Sequence, residues 1–158
     1  KEDAQLQTVS VEPVFDYLKE MFCARHEIEF HYTYEQCRIE AEVSLIKTVL
    51  VNLIDNACKA SEDNGRVEVS GCVVDSGYRF AVRDYGIGIP QAELHKITKA
   101  FYMVDKSRAR SKNGAGLGLA LCVQILNIHH SELHIESEAG KGSCFSFVLT
   151  KSEVRDES

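Results

Sequence analysis

The sequence predicts an α+β domain: a two-layer α/β sandwich whose mixed, mostly antiparallel sheet is covered on one face by about three helices. Three observations carry this reading. Helical and strand-like segments run as helix, two strands, helix, two strands, helix, two strands, which disfavours a parallel doubly wound sheet. Asp75-Ser76-Gly77 sits between two strand-like runs and signals a hairpin. The 158 residues, 44% apolar and 27% charged, suit one soluble domain with its own core, and no linker or repeat divides them. The expected organisation is a single domain over 1–158, with a core at about 9–150 and a charged tail at 151–158 that is expected to fray.

Residues 11–25 have the spacing of an amphipathic helix, with Val14, Phe15, Leu18 and Phe22 on the apolar face and Met21 beside them. Ser10 is its expected N-cap, and Pro13 is tolerated in a first turn. Residues 28–34 alternate as a strand, and 38–42 are expected to be its hairpin partner. Residues 44–61 form the strongest helical pattern, closed by Asp63-Asn64-Gly65. Strands are expected over 66–74 and 78–83, followed by a glycine turn and a short helix near 91–97. Residues 98–115 are basic and polar without a period. A second strong helix is expected over 117–128, then strands at 133–136 and 143–150 joined by Ala139-Gly140-Lys141-Gly142.

A net charge of −6 argues against a nucleic-acid partner, because a phosphate backbone attracts a basic surface. The positive charges cluster locally at Lys106, Arg108, Arg110 and Lys112. Such a cluster reads either as a solvated loop or as a site for one small polyanion. The six cysteines include no C-x-x-C pair, and several lie in apolar runs, so they read as buried free thiols in a reducing compartment. No signal peptide is visible, and no apolar run approaches the ~20 residues that span a bilayer. The expected location is cytoplasmic with no direct membrane contact, any anchor of the parent protein lying outside this stretch.

Three segments bring chemistry. On the helix over 44–61, Ile46, Val49, Leu50, Leu53, Ile54 and Ala57 share one broad face. Asn52, Asn56 and Lys59 fall together on its flank, within about 60° at helical spacing. Two amides and an ammonium in a row offer oxygens to a hard cation and charge to a phosphate; a polar stripe facing water is the alternative. In Arg83-Asp84-Tyr85-Gly86-Ile87-Gly88, a strand delivers Asp84 to its end and the chain turns on two glycines. A carboxylate there can accept a hydrogen bond from an exocyclic amine, although a plain turn has the same pattern. In Asn113-Gly114-Ala115-Gly116-Leu117-Gly118, small residues open directly into a helix, whose start favours an anion. The basic stretch upstream of it has the composition of a lid over phosphates.

In order and spacing, these segments resemble the catalytic domain of sensor histidine kinases, in the superfamily that includes DNA gyrase, the MutL repair proteins and the heat-shock chaperone ATPases. The resemblance covers about residues 9–150. LVNLIDNACKAS resembles the asparagine box, VRDYGIGIP the first glycine box, KAFYMVDKSRAR the phenylalanine box of the lid, and GAGLGLAL the second glycine box. It implies a Bergerat-type ATP-binding fold with a mobile ATP lid, and Mg-ATP as cofactor. By resemblance, Asn56 holds Mg²⁺ bridging the ATP phosphates, Asn52 sits beside it on phosphate or metal-bound water, and Lys59 reaches a phosphate. Asp84 accepts from the adenine amino group, and Gly86 and Gly88 shape the pocket floor. Lys106, Arg108 and Arg110 close from the lid, while Gly114, Gly116, Leu117 and Gly118 present backbone N–H groups.

The chain departs from the family pattern at three places. Ala60 stands where many relatives carry an aromatic that stacks on adenine, and Met103 stands where a common lid pattern has arginine. The phosphorylated histidine of the family, on a helix before the catalytic domain, has no counterpart: His26-Glu27 has the local pattern but enters a strand. His129-His130 reads as a helix-end cap rather than a metal site. The implied function is transfer of the ATP γ-phosphoryl group to a histidine on a separate dimerisation domain, with a response regulator as indirect partner. The alternatives are a degenerate nucleotide-binding regulatory module, an anti-sigma-type serine kinase, and a clamp ATPase. The last places a water-activating glutamate where this chain has Asn52, and an amide is a poor base.

Overall fold

The computed structural model describes residues 6–23, 28–61, 65–88 and 115–152, with the backbone alone for 115–117. In chain order the elements are β1 (Gln7–Ser10), α1 (Glu12–Met21), β2 (Glu29–Tyr34), β3 (Arg38–Ala41), α2 (Val43–Ala60), β4 (Arg66–Val74), β5 (Gly77–Asp84), α3 (Ala115–Ile128), β6 (His134–Glu138) and β7 (Gly142–Leu149). The expected helix near 91–97 lies outside the described residues, as do residues 98–114 of the expected lid.

A five-stranded sheet runs in the order β2-β4-β5-β7-β6. Only β2 and β4 are parallel; β4 with β5, β5 with β7, and β6 with β7 are antiparallel. The parallel pair needs a long crossover, and α2 lies within it. The mixed sheet and its helical layer are therefore as the sequence predicts. The strand alternation puts Val67, Val69, Tyr78, Phe80, Val82 and Phe147 into the core. All six α2 residues assigned to an apolar face are buried there, with Cys58 beside them. Rings form the centre: Phe15 stacks on Tyr34 at 4.3 Å and packs 5.8 Å from Phe80, which lies 5.3 Å from Phe147.

Four local expectations are corrected. β3 does not pair with β2; it pairs antiparallel with β1, a strand that four residues with one apolar side chain, Val9, did not announce. Ser10 is the last residue of β1 rather than the N-cap of α1, which is Val11 without a side-chain cap; the Ser10 hydroxyl still accepts from the Glu12 N–H at 3.3 Å. α1 ends at Met21, not at 25; the Phe22 N–H donates to the Leu18 carbonyl, and the Tyr32 hydroxyl sits over this end, donating to the Phe22 carbonyl at 2.8 Å and lying 3.2 Å from the Leu18 carbonyl. Lys151 and Ser152, assigned to the tail, pair with β3.

All six cysteines are free, as predicted, but only Cys58, Cys122 and Cys144 are buried. Burial pushes the Cys122 thiol up to about 12, so it is a packing group. No helix among the described residues is long and apolar enough to cross a membrane.

The histidine pair closes α3. His129 is buried, its Nδ1 lies 2.9 Å from the Ile125 carbonyl, and its Nε2 accepts from the Glu42 N–H at 3.1 Å. These contacts require the neutral Nδ1–H tautomer. The ring thereby ties the end of α3 to the start of α2. His130 follows at φ +60, and the Ser131 N–H reaches the Leu126 carbonyl at 2.8 Å, a Schellman ending normally given to glycine. We expect His129→Ala to lose about 1–3 kcal/mol, since it strands the Glu42 N–H. We expect His130→Gly to gain about 1 kcal/mol by relieving the left-handed backbone. Urea unfolding of the two variants checks both signs.

Candidate functional site

Helix α2 sets the first wall. Its apolar stripe is committed to the core, so Asn52, Asn56 and Lys59 emerge on one flank: the two amides half-buried, the ammonium exposed. The Asn52 Nδ2 donates back to the Thr48 carbonyl at 2.9 Å, which fixes the amide and frees its oxygen. The Asn56 Nδ2 is enclosed with no hydrogen-bond partner among the described residues. A half-turn of that amide would put an oxygen at the same place, and an amide oxygen is a donor type that suits a hard cation. Lys59 lies 3.5 Å from the Asp55 carboxylate one turn back, at the water boundary.

Asp84 sets the second wall. It ends β5, opposite Val67 on one side and Ser143 on the other, and is only 2% exposed. Burial pushes its carboxyl above the usual range, and the N–H groups of Gly86 and Ser143 and the nearby Arg83 hold that rise back. The Gly86 N–H donates to its Oδ1 at 2.9 Å.

The loop after Asp84 is held by backbone on backbone. Gly86 passes against the Ala60 carbonyl, where any Cβ would overlap it, and the Ile87 N–H donates to the same oxygen at 3.3 Å. Gly88, at φ +72, passes against the Glu138 carbonyl in the same way. The Gly140 N–H donates to the Ile87 carbonyl at 2.7 Å. The end of α2, the end of β5 and the β6–β7 turn are thus joined, which brings the Asn56–Lys59 stretch alongside Asp84.

One brace was missed in the sequence. Gly142, at φ +112, lets β7 pass directly against the Asp84 carbonyl. The signal was present in Gly140-Lys141-Gly142, read only as a turn.

Helix α3 sets the third wall. Its first turn includes Gly116 and Leu117, whose N–H groups lie ahead of any intrahelical acceptor. Gly118 is one step deeper, and a Cβ there would come 3.1 Å from the Asn52 Oδ1. Its missing side chain sets how closely α3 approaches that amide. Helix starts attract anions, so this corner suits phosphate beside the amide row. Gly114, Lys106, Arg108 and Arg110 lie outside the described residues. Tyr85 does not replace the missing aromatic at Ala60: its hydroxyl donates to the Glu68 carboxylate at 3.0 Å, on the other side of the sheet.

The profile of the histidine kinase-, DNA gyrase B-, and HSP90-like ATPase family matches residues 41–153. The chain belongs to this family. Among the curated members, Sporulation kinase C of Bacillus subtilis is 41% identical over 113 residues, which are 72% of this chain and 25% of that protein. The chain therefore spans about a quarter of the length of that relative. Among solved structures, a mycobacterial sensor histidine kinase, MprB, superposes with a TM-score of 0.76 at 28% identity, covering 94% of this chain and 99% of that one. Histidine kinase ThkA, solved in complex with the response regulator protein TrrA, superposes with a TM-score of 0.69 at 25% identity, covering 93% and 42% of the two chains. In this histidine kinase-type ATPase domain, the segment that resembles the asparagine box lies on α2, and the described part of the segment that resembles the first glycine box spans the end of β5 and the loop after it.

The buried carboxylate has a measurable cost. A raised folded-state value means that the contribution of Asp84 is fully present below its ordinary value of 3.8 and is lost as pH rises through the folded value. Asp84→Asn should therefore melt at or above the parent temperature at neutral pH without nucleotide, and the gap should shrink as pH falls towards 4. Thermal melts across that range test the sign; a variant less stable at pH 7 than at pH 4, relative to the parent, would contradict it.

Proposed function

We propose that the chain is the catalytic ATP-binding domain of a two-component sensor histidine kinase. It binds Mg-ATP and passes the γ-phosphoryl group to a histidine on a separate dimerisation domain. Residues 1–158 form one such domain, with its core at about 9–150. The observation that carries this reading is the buried Asp84 carboxylate, with its following loop packed on the end of α2 and the first turns of α3 packed beside Asn52. An adenine amine can donate to Asp84, and the phosphates then extend towards Asn52, Asn56, Lys59 and the α3 N–H groups. When bound, Mg²⁺ neutralises charge on the phosphate oxygens, and Asn56 would hold it.

The same arrangement argues against fast hydrolysis. At Asn52, where clamp ATPases of the superfamily carry a glutamate, an amide cannot take a proton from water at neutral pH. Phosphoryl transfer needs positioning more than covalent chemistry, and the acceptor domain is expected to supply its own base. The proposed setting is a cytoplasmic signalling protein whose phosphohistidine is read by a response regulator, a role that TrrA's complex with ThkA makes natural. The lid cations Lys106, Arg108 and Arg110 belong to the same proposal.

Asp84→Asn should weaken ATP by at least about tenfold, the equivalent of losing a charged hydrogen-bond acceptor. Calorimetry with unchanged affinity would remove Asp84 from the adenine site. Asn56→Ala should unfold cooperatively like the parent yet lose the gain in ATP affinity that Mg²⁺ provides. The chain alone should bind ATP without labelling itself. Added histidine-bearing dimerisation domain should acquire acid-labile, base-stable phosphate, slowly, because separation forfeits an effective concentration of about millimolar. Efficient self-labelling, or rapid phosphate release without an acceptor, would overturn the assignment.

A further inference from the structure

The face of the sheet opposite the core is polar, and its charges are not evenly spread. Strand alternation places Arg79, Ala81 and Arg83 of β5 on it. Register then sets His31 beside Glu68, Glu68 beside Arg83, and Arg83 beside Cys144. The next row along is Thr33, Ser70, Ala81 and Ser146, all small. Two guanidiniums therefore stand at either end of a low floor that carries hydroxyls, and the depression has a volume of about 330 Å³.

The charges in this basin are unequally satisfied. Glu68 is engaged by Arg66 at 2.9 Å and by the Tyr85 hydroxyl at 3.0 Å. Among the described residues, Arg79 and Arg83 form no ion pair with a carboxylate. On a chain with a net charge of −6, acidic partners are abundant, yet these two cations both face the basin. The imidazole Nε2 of His31, a third basin group, lies 3.4 Å from the Glu29 carboxylate and has no hydrogen-bond partner among the described residues. Arg79 and Arg83 are four residues apart on one strand, so their Cα atoms are separated by about 13 Å. Two arms anchored at that spacing can lean over the floor between them and grip one multiply charged molecule.

We propose that this basin binds a small phosphorylated molecule, held by the Arg79 and Arg83 guanidiniums and by the Thr33 and Ser70 hydroxyls. Guanidinium forks match phosphate oxygens in pairs, and hydroxyls donate to the remaining ones. The volume suits a small ligand rather than a folded partner. The site lies back to back with the candidate nucleotide pocket. Arg83 faces the basin while the next residue, Asp84, faces the pocket, so a ligand on one side presses on the strand end that positions the other.

The test is titration of the isotopically labelled 158-residue chain with inorganic pyrophosphate, followed by amide resonances. Saturable shifts centred on Ser70, Arg79 and Ala81 are expected. Arg79→Gln and Arg83→Gln should each weaken the effect at least about tenfold while keeping the dispersed spectrum of the folded chain. Shifts confined to residues 86–88 and the amides of α2 would assign pyrophosphate to the nucleotide pocket and overturn the proposal. So would an unsaturable drift across the surface, or variants that bind as tightly as the parent.

Discussion

Helix α2 must serve two masters along one cylinder: seven side chains are sealed against the sheet and its neighbouring helices, while a row of amides a fraction of a turn away stays open. The rest of the architecture follows from that division. α1 and α3 flank α2 rather than cover it, and the absent side chain at Gly118 sets how closely α3 approaches Asn52. A rotation of α2 by one residue, about 100°, would bury the amides without partners and expose leucines. The core thus fixes the orientation of the site, and core packing and chemistry cannot be varied independently on this helix.

The second determinant is main chain rather than side chain. Asp84 is kept in place because Gly86, Gly88 and Gly142 let three backbone segments touch, where any Cβ would force them apart. Such contacts leave little freedom to the strand end, and rigidity of this kind is what a buried carboxylate requires if it is to meet a donor at a fixed distance. The protein accepts a group that burial disfavours and surrounds it with two N–H donors, with the Arg83 charge nearby, which leaves acceptor capacity for a ligand.

Much of this was legible in the residues themselves. The 3.6-residue period of α2 named both its buried face and its polar flank, because helix geometry is local and the sequence spacing is the geometry. The β4–β5 hairpin was legible for the same reason: its turn chemistry sits within the hairpin. The partner of β3 was not, since adjacency favours β2 while the true partner lies across α1 in the chain. The role of Gly142 was hidden too, because close approach to Asp84 is a property of β7 lying beside β5 and not of the turn. Arg79 and Arg83 look like ordinary surface charges until strand register places small residues between them and a hydroxyl floor beneath. Ser10 shows the limit of capping rules: a residue that suits an N-cap was taken up by a strand one position earlier.

The position of β3 has a topological consequence. It pairs with β1 along one edge, and it also receives Lys151 opposite Ile39, with the Glu40 N–H donating to Thr150 and the Ser152 N–H to Arg38. Early and late stretches of the chain therefore meet on one short strand, and the path between them is close to a ring. A short peptide could close that ring, and the Asp75–Ser76 turn could be cut, without breaking any strand pairing. Such a circular permutant would keep the same contacts but turn β4–β5, the most local long pairing in the sheet, into a distant one. Contact order would rise, and the native state would be reached more slowly along a different route.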